Sequence, residues 1–296
     1  MPTWLKILAR ALAALGLAGV AVAVGAFLLT GAAPRAFVAL LPPPEASVVP
    51  SFIPSPTAPP TPALTRVHVV AIGDSVTAGN ACNCTAFPAL YADGLERDHD
   101  VRTYVRNDGA GGETSADVLD DLRGDQSERD DLARADIVLV TIGANDFGPQ
   151  YDQITSGTCG GRDHLECVRP TLGALPGRLT TIVQRIRELR RGAPTAILLT
   201  GYWNVFEDGQ VVEQSMSRQG RADSDALTRA TNQVVAQVAK AQRATYVDLY
   251  SPFKGSEGGD DPTDLLADDG DHPNAAGHRA IARALLAAGT VPVTLA

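Results

Sequence analysis

Basic residues are scarce in this 296-residue sequence, and lysine is the scarcest of them. Lys and Arg number 25 against 34 Asp and Glu, which gives a net charge of −9. Nucleic-acid binding depends on a basic face that neutralises phosphates, so we exclude nucleic acid as a partner. The sequence also lacks a collagen or coiled-coil repeat, which excludes a rod. Because 45% of the residues are hydrophobic, the chain can bury a sizeable core and is not disordered throughout.

Charge is missing altogether from the 24 residues between Arg10 and Arg35. A helix of that length spans about 36 Å, enough to cross a hydrocarbon core of about 30 Å. Lys6 and Arg10 precede it and favour an N-terminus left in the cytoplasm. We predict that residues 1–35 form a single-pass transmembrane anchor or a cleaved signal peptide; a buried core helix is the third interpretation. The two membrane-targeting interpretations both make the rest of the chain extracytoplasmic, either membrane-anchored or secreted.

Proline dominates the next segment, with nine prolines in residues 42–62. Proline fixes φ and lacks an amide hydrogen, so this segment cannot lie inside a helix or a sheet. We expect residues 36–65 to form a semi-extended linker and residues 66–296 to form the globular domain.

Short apolar runs alternate with helical patterns through the globular domain. Strands alternating with helices predict a parallel sheet with helices on both faces, that is, a three-layer α/β/α flavodoxin-like fold with a five-stranded parallel sheet. Ligands of such sheets bind at the carboxyl ends of the strands. The predicted strands are residues 66–72, 101–106, 136–142, 195–200 and 245–249, and the clearest helices are residues 175–189, 227–238 and 275–287.

Four polar segments follow these strands, and each would be unremarkable alone. They are Gly73-Asp74-Ser75-Val76, residues 107–114, residues 143–146, and residues 269–273 near the C-terminus. Because they come in order at one edge of one sheet, we expect them to build a site together.

Together the four segments resemble those of the SGNH/GDSL hydrolase family over roughly residues 67–290. The matching positions are Ser75, Gly112, Asn145 and His272. Val76 stands where the family's short name has Leu, but that side chain does no chemistry. Asp269 matches the family's acidic residue three positions before the histidine, although Asp268 and Asp271 lie close by in sequence.

The residues also predict this chemistry directly. A serine hydroxyl needs a base to take its proton, and His272 is the best placed of five histidines. His68 lies within a strand, and His278 falls inside the last helix, where we expect it to face solvent or the sheet. Asp269 would orient His272, giving a Ser75-His272-Asp269 triad. The backbone N–H groups of Ser75 and Gly112 and the Asn145 amide would form an oxyanion hole, and glycine at 112 would let the chain approach closely.

The resemblance implies a serine hydrolase that cleaves carboxylic esters of the lipase or acyl-esterase type without a cofactor. Its substrate would be a small ester, a lipid or an acylated sugar, and the N-terminal segment would supply membrane contact. The α/β-hydrolase fold is excluded because no G-x-S-x-G pentapeptide occurs. Two other classes stay open: a non-catalytic glycan- or lipid-binding module on a membrane stalk, and a nucleotide binder using residues 109–114 to hold phosphate. Tyr202, Trp203 and Phe206 follow the fourth strand and would line the substrate pocket or pack in the core.

Four cysteines in an extracytoplasmic chain suggest two disulfides, with three possible pairings. We favour Cys159–Cys167 and Cys82–Cys84, with pairing across the two loops as the alternative. The C-x-C spacing is not typical of zinc sites. Six aspartates between residues 260 and 271 have the chemistry of a Ca²⁺ site, but we interpret them as a solvated loop without metal.

Overall fold

The structure, a computed structural model, describes residues 63–296 and contains one five-stranded parallel sheet in that range. The order of the strands across the sheet is β2-β1-β3-β4-β5. They are β1 (Arg66–Gly73), β2 (Arg102–Asn107), β3 (Ile137–Thr141), β4 (Ala196–Thr200) and β5 (Thr245–Val247).

The central strands are apolar along their whole length because both of their faces are covered. Every residue of β3 and of β4 is buried, whereas the edge strand β2 is mostly exposed or half-buried. The register is continuous across the centre: Val69 of β1 pairs with Ile137 of β3, which pairs with Ala196 of β4.

Helices cover both faces of the sheet and form the outer two layers. On one face Val70 and Ile72 pack with the helices Ser115–Gly124, Arg169–Leu189 and Arg218–Ala241. On the other face Val69 and Ala71 pack with the helices Phe87–Asp98, Tyr250–Lys254 and Ala275–Ala288. The helices are α1 (Ser75–Ala78), α2 (Phe87–Asp98), α3 (Ser115–Gly124), α4 (Gln126–Leu132), α5 (Tyr151–Thr155), α6 (Arg169–Leu189), α7 (Gln210–Ser215), α8 (Arg218–Ala241), α9 (Tyr250–Lys254) and α10 (Ala275–Ala288), with 3-10 turns at Asn145–Gln150, Glu166–Val168 and Thr263–Leu265.

The three-layer fold and the five parallel strands are confirmed. The predicted anchor or signal peptide (residues 1–35) and nearly all of the predicted linker (residues 36–65) lie outside the described residues. Within residues 63–296, no helix combines the length and the apolar character needed to cross a membrane.

Candidate active site

Ser75 is the first residue of α1, a single helical turn at the carboxyl end of β1. The Asp74 side chain caps this turn, because its Oδ1 accepts a hydrogen bond from the backbone N–H of Val76 at 3.0 Å. The backbone N–H groups of Gly79 and Asn80 both donate to the Ser75 carbonyl at 3.0 Å. The Ser75 N–H belongs to the first turn, where helical amides lack an intrahelical acceptor.

Gly73 lets β1 turn sharply into Ser75. Its φ is +123°, and a Cβ at this position would lie 2.0 Å from the backbone oxygen of Thr141 in β3. Only glycine tolerates both the dihedral angle and the close approach. Gly73 therefore determines both where β1 ends and where Ser75 is placed.

A buried carboxyl group stands directly before the serine. Asp74 is 1% exposed, and its Oδ2 accepts a hydrogen bond from the Tyr202 hydroxyl at 2.5 Å. Burial raises the pKa of Asp74 to about 7, although the hydrogen bonds from Tyr202 and Val76 act to lower it. The charges of Asp271 and His272 also reach this carboxyl and affect its pKa, which places the C-terminal loop beside the serine turn.

His272 is held from one side by Asp269. Nδ1 of His272 lies 2.8 Å from Oδ2 of Asp269, while Oδ1 of the same carboxylate accepts the backbone N–H groups of Asp271 and His272, each at 3.0 Å. Asp271, the competing carboxylate, lies farther away at 3.7 Å. Burial acts to raise the pKa of Asp269, but these hydrogen bonds outweigh it and the net pKa lies below the ordinary value. Asp269 is therefore an ionised hydrogen-bond acceptor for the imidazole near neutral pH.

Ser75 and the loop that carries His272 share one small cavity. It measures about 20 Å³, and Ser75, Asn145 and Asp271 all line it. Tyr202 and Trp203, two of the three aromatic residues considered for the substrate pocket, also line this cavity. The third, Phe206, is buried in an edge-to-face contact with Tyr151 and does not line this cavity. For Phe206, core packing is what the structure shows.

Asn145 begins the 3-10 turn after β3, and its amide is already oriented. Nδ2 donates to the backbone carbonyl of Glu113 at 2.9 Å, which leaves the second amide hydrogen free to bind elsewhere. This contact ties the Asn145 turn to the loop that contains Gly112.

Gly112 has a backbone conformation that favours glycine. A Cβ at Gly112 would meet no atom within 4 Å, and what requires glycine is a φ of +84°. Its neighbour Gly111 has a close contact within the protein, since a Cβ there would lie 2.5 Å from Nδ2 of Asn80.

Sequence reasoning missed the buried carboxylate of Asp146, next to Asn145, which pairs with the partly exposed Arg178. The Asp146 carboxylate accepts the Ser115 hydroxyl at 2.5 Å, the Ser115 N–H at 2.8 Å and Arg178 Nη1 at 2.7 Å. It joins the start of α3 and the middle of α6 to the Asn145 turn. In the sequence, Asp146 is an aspartate directly after Asn145, and an aspartate at that position is typical of a turn.

Of the two alternatives for His278, the one in which it faces solvent was wrong. Its side chain is fully buried between α10 and the start of α2, where Nδ1 accepts the backbone N–H of Phe87 at 3.2 Å. Burial lowers the pKa of His278 to about 4, so the ring is neutral at physiological pH. His68 lies in β1 as predicted and stacks on Tyr104.

Both favoured disulfides are present, Cys82–Cys84 and Cys159–Cys167. In the acidic stretch, several carboxylates have protein partners. Asp261 accepts the hydroxyl and the N–H of Thr263, and Asp269 holds His272.

A larger polar cavity adjoins the small one, and Asn204 lines both. It measures about 420 Å³. Lys254 lies in its wall, buried and bonded to Asp208 at 2.7 Å. Its remaining polar lining includes Glu207, Glu213, Arg221, Ser224, Asp260 and Asp261.

Comparison with known proteins gives one family and many structures. The model of the GDSL-like lipase/acylhydrolase family matches residues 71–280. No curated protein sequence matches the chain.

Three solved structures illustrate the likeness of fold. A lipase from a goat rumen metagenome is 19% identical with a TM-score of 0.60, over 75% of this chain and 97% of that one. An extracellular lipase from Streptomyces rimosus is 22% identical with a TM-score of 0.55, over 75% and 100%. A mutant of an acetylxylan esterase from Geobacillus stearothermophilus is 24% identical with a TM-score of 0.51, over 75% and 93%.

Proposed function

The chain belongs to the GDSL-like lipase/acylhydrolase family and is a carboxylic ester hydrolase, and from that premise we propose that Ser75, His272 and Asp269 form its catalytic triad. The observation that carries the proposal is the 2.8 Å contact between Asp269 and His272, in a loop that meets Ser75 at a common cavity. In this proposal, two segments almost 200 residues apart supply a hydroxyl and an oriented imidazole to one site.

In the proposed mechanism the Ser75 hydroxyl attacks the ester carbonyl while Nε2 of His272 takes its proton. The imidazolium then protonates the leaving alcohol, and water releases the acyl group by the same steps in reverse order. Asp269 holds Nδ1–H, which fixes the tautomer that leaves Nε2 free to act as the base.

The developing oxyanion is stabilised best by hydrogen-bond donors that point towards it before the reaction begins. We assign this role to the N–H groups of Ser75 and Gly112 and to the free amide hydrogen of Asn145. The Asn145–Glu113 hydrogen bond supports the assignment, because it holds the amide in one orientation before substrate arrives.

The cavities favour a short acyl group on a polar alcohol. A space of about 20 Å³ beside Ser75 is roughly the size of one water molecule, which suits an acetyl group better than a long chain. The adjoining cavity of about 420 Å³ is walled by charged and polar side chains, which suit a hydroxylated leaving group such as a sugar. Among the described residues, the large hydrophobic side chains that are exposed are Tyr104 and Val291, and neither lines these cavities. The likeness to an acetylxylan esterase is in line with this preference.

Steady-state kinetics on an aryl acetate test the triad. Ser75→Ala and His272→Ala are each expected to lower kcat by at least about 10⁴-fold, as removal of a triad member does elsewhere. The exposed Ser127→Ala serves as the matched control and is expected to retain full activity. Substantial hydrolysis by Ser75→Ala, with its melting temperature unchanged, would exclude the mechanism.

A series of aryl esters from acetyl to octanoyl tests the acyl preference separately. We expect kcat/KM to fall by at least about tenfold from acetyl to octanoyl, because each added methylene has no space beside Ser75. A rise in kcat/KM with chain length would leave the triad intact but overturn the short-acyl preference.

A further inference from the structure

Tyr202 makes a buried hydrogen bond that has no part in the proposed hydrolysis. It follows β4 at the carboxyl edge of the sheet, and its hydroxyl donates to Oδ2 of Asp74 at 2.5 Å. Both residues are 1% exposed, and both line the small cavity beside Ser75. A hydrogen bond between two buried groups is shielded from competing water, so it holds both partners firmly.

The Tyr202 hydroxyl is the donor in this contact. Burial raises the pKa of Tyr202 well above its ordinary value, and the charge of Asp74 raises it further, so the phenol stays protonated. A backbone hydrogen bond from Ala144 acts to lower the same pKa, which places the residue before Asn145 next to this hydroxyl. Tyr202 therefore lies between the turn that carries Ser75 and the turn that carries Asn145.

The two oxygens of Asp74 have different partners. Oδ1 accepts the backbone N–H of Val76 and caps α1, while Oδ2 accepts the Tyr202 hydroxyl. A capping side chain with one contact can rotate about its own bonds, whereas this carboxylate is also held from the end of β4. The orientation of the cap, and with it the start of α1 at Ser75, therefore depends on Tyr202.

Tyr202 is itself anchored to α8 through its backbone. Its N–H donates to Oδ1 of Asn232, and its carbonyl accepts Nδ2 of the same side chain, each at 2.8 Å. Gly201 makes room for this contact, because a Cβ there would lie 2.8 Å from Oδ1 of Asn232. The hydroxyl therefore projects from a fixed backbone, against which the Asp74 carboxylate is placed.

We propose that Tyr202 is a positioning residue for the nucleophile and acts through Asp74: its hydroxyl fixes the carboxylate that caps α1, so that the Ser75 hydroxyl and N–H are in place before the ester binds. This role rests on the proposed function, in which Ser75 attacks the ester and its N–H binds the oxyanion.

A displaced nucleophile should affect turnover more than binding. An error of about 1 Å in a reacting group can lower a rate by about 10²-fold. The contact between the Ser75 N–H and the oxyanion forms only in the transition state, so its loss does not weaken the binding of the ester itself. Removal of the Tyr202 hydroxyl should therefore lower kcat and leave KM nearly unchanged.

Tyr202→Phe tests this directly, with an aryl acetate as substrate. We expect kcat to fall by about 10–100-fold and KM to stay within about threefold of wild type. Tyr91→Phe is the matched control, because Tyr91 is fully buried and its hydroxyl has no hydrogen-bond partner among the residues the structure describes. It should retain the wild-type kcat. Undiminished kcat in Tyr202→Phe would overturn the proposal.

A double-mutant cycle tests whether Tyr202 acts through Asp74. Asp74→Asn retains an acceptor for the Val76 N–H but replaces the oxygen that accepts the Tyr202 hydroxyl with an amide group. In that background Tyr202→Phe has no hydrogen bond to a carboxylate to remove, so it should lower kcat by less than about threefold. If the two single losses multiply in the double variant, Tyr202 acts by another route and the proposal is wrong.

The pH dependence of kcat separates this role from simple core packing. Burial raises the pKa of Asp74 to about 7, the Tyr202 hydrogen bond lowers it, and the charged or titratable groups Asp271, His272 and Glu113 also lie near it. Without the Tyr202 hydroxyl that pKa should rise further, and the carboxyl group should be protonated over more of the neutral range. The other three groups are present in both proteins and cancel in a ratio.

We therefore expect the ratio of wild-type to Tyr202→Phe kcat to be at least about threefold larger at pH 7 than at pH 9, where the carboxyl group is ionised in both proteins. A ratio that does not change with pH would show that Tyr202 only packs in the core.

Asn232→Ala provides a variant that leaves the Tyr202 hydroxyl intact. It removes both hydrogen bonds to the Tyr202 backbone and should lower kcat by at least about threefold, again with little change in KM. A rise in KM at unchanged kcat would contradict the role of Tyr202, even if Tyr202→Phe fails to fold.

Fluorophosphonate labelling of the wild-type protein separates this proposal from the proposed function. Absence of an adduct on Ser75 would contradict the proposed function and this role with it. An adduct on Ser75, together with full kcat in Tyr202→Phe, would overturn the role of Tyr202 alone.

Discussion

At the scale of single residues, two carboxylates lie beside His272, and their distances from its Nδ1 differ by less than 1 Å. Asp269 is at hydrogen-bond distance from Nδ1 and Asp271 is not. The sequence pattern favoured Asp269 but left the two crowded together, because spacing along a chain does not give the distance between side chains.

We expect Asp269→Asn to lower kcat by roughly 10³–10⁴-fold, since an amide can hold the imidazole in the wrong tautomer. Asp271→Asn has the same change of charge in the same loop and should lower kcat less than about tenfold. Parallel kcat measurements on an aryl acetate compare the two, and equal losses would contradict the assignment of Asp269.

Asn145 allows a second residue-scale prediction about the oxyanion hole. Asn145→Asp keeps the shape of the side chain but removes both amide hydrogens. We expect kcat to fall by about 10²–10³-fold with little change in KM, because the donor acts on charge that develops only in the transition state. If KM rises and kcat is preserved, Asn145 binds substrate and does not stabilise the transition state.

Single residues also show where sequence reasoning ended. Ser75, Asn145 and His272 could be selected because each stands at a strand end in a recognisable pattern. The burial of His278 and the open space around Gly112 could not, because they depend on how α10 meets α2 and on how two loops meet.

At the scale of helices and strands, Asp146 connects segments that are distant in sequence. Its side chain is fully buried and its oxygens serve the start of α3 and Arg178 of α6. We expect Asp146→Ala to destabilise the fold by about 2–4 kcal/mol, because Ser115 would lose buried hydrogen bonds and Arg178 its partner. Thermal or urea unfolding measures this.

Asp120→Ala is the matched control, because Asp120 pairs with Arg123 on the exposed surface of α3. Its cost should stay within about 0.5 kcal/mol beyond the change in helix propensity. Similar losses in both variants would mean that the Asp146 network adds no stability.

The loop between α1 and α2 carries a prediction for activity. We expect the double variant Cys82→Ser/Cys84→Ser to lower turnover by about tenfold, because the loop that holds the Ser75 carbonyl loses its covalent constraint. Cys159→Ser/Cys167→Ser should mainly lower the melting temperature. Undiminished turnover in the first variant would show that the loop keeps its shape without the disulfide.

Strands were easier to predict than helices in this chain. The fully buried β3 and β4 appear in the sequence as uninterrupted apolar runs, and their predicted bounds lie within one residue of those observed. By contrast, α4 reads Gln-Ser-Glu-Arg-Asp-Asp-Leu and buries two residues, so it has no apolar face for a pattern to detect. The strand order also had no local signal, because it is set by which helices cross which face.

At the scale of the whole molecule, buried acids couple stability to pH. Burial raises the pKa of Asp74 to about 7 and that of Glu128 to about 8. In the unfolded chain the pKa values of these two groups are about 4. Between that pH and their native pKa values, the native state therefore holds protons that the unfolded state has lost. Stability from these groups is therefore complete below about pH 4 and declines as pH rises towards 8. The lowered pKa of His278 acts in the opposite direction, but only below about pH 6.5.

Above pH 6.5 the lowered pKa of His278 no longer offsets the effect of Asp74 and Glu128 on stability. The pH dependence of unfolding in that range therefore tests the two acids directly. Glu128→Gln imitates the protonated acid and should lose about 1 kcal/mol less stability than wild type between pH 6.5 and 9, roughly 2–4 °C in Tm. Glu188→Gln, on the exposed surface of α6, should follow the wild-type curve. Parallel curves for Glu128→Gln and wild type would show that Glu128 is ionised in the native state.

The predicted membrane anchor or signal peptide in residues 1–35 lies outside the described residues and stays a prediction. N-terminal sequencing of the mature protein distinguishes the two, since a first residue near Ala33 or later would mean cleavage.

Covalent labelling with a fluorophosphonate tests most directly whether Ser75 is a nucleophile activated by His272. Intact mass and peptide mapping should find one adduct per chain, located on Ser75, and the labelling rate should fall by at least about 100-fold in His272→Ala. An adduct on any other side chain, or a rate on Ser75 that is unchanged without His272, would contradict the account.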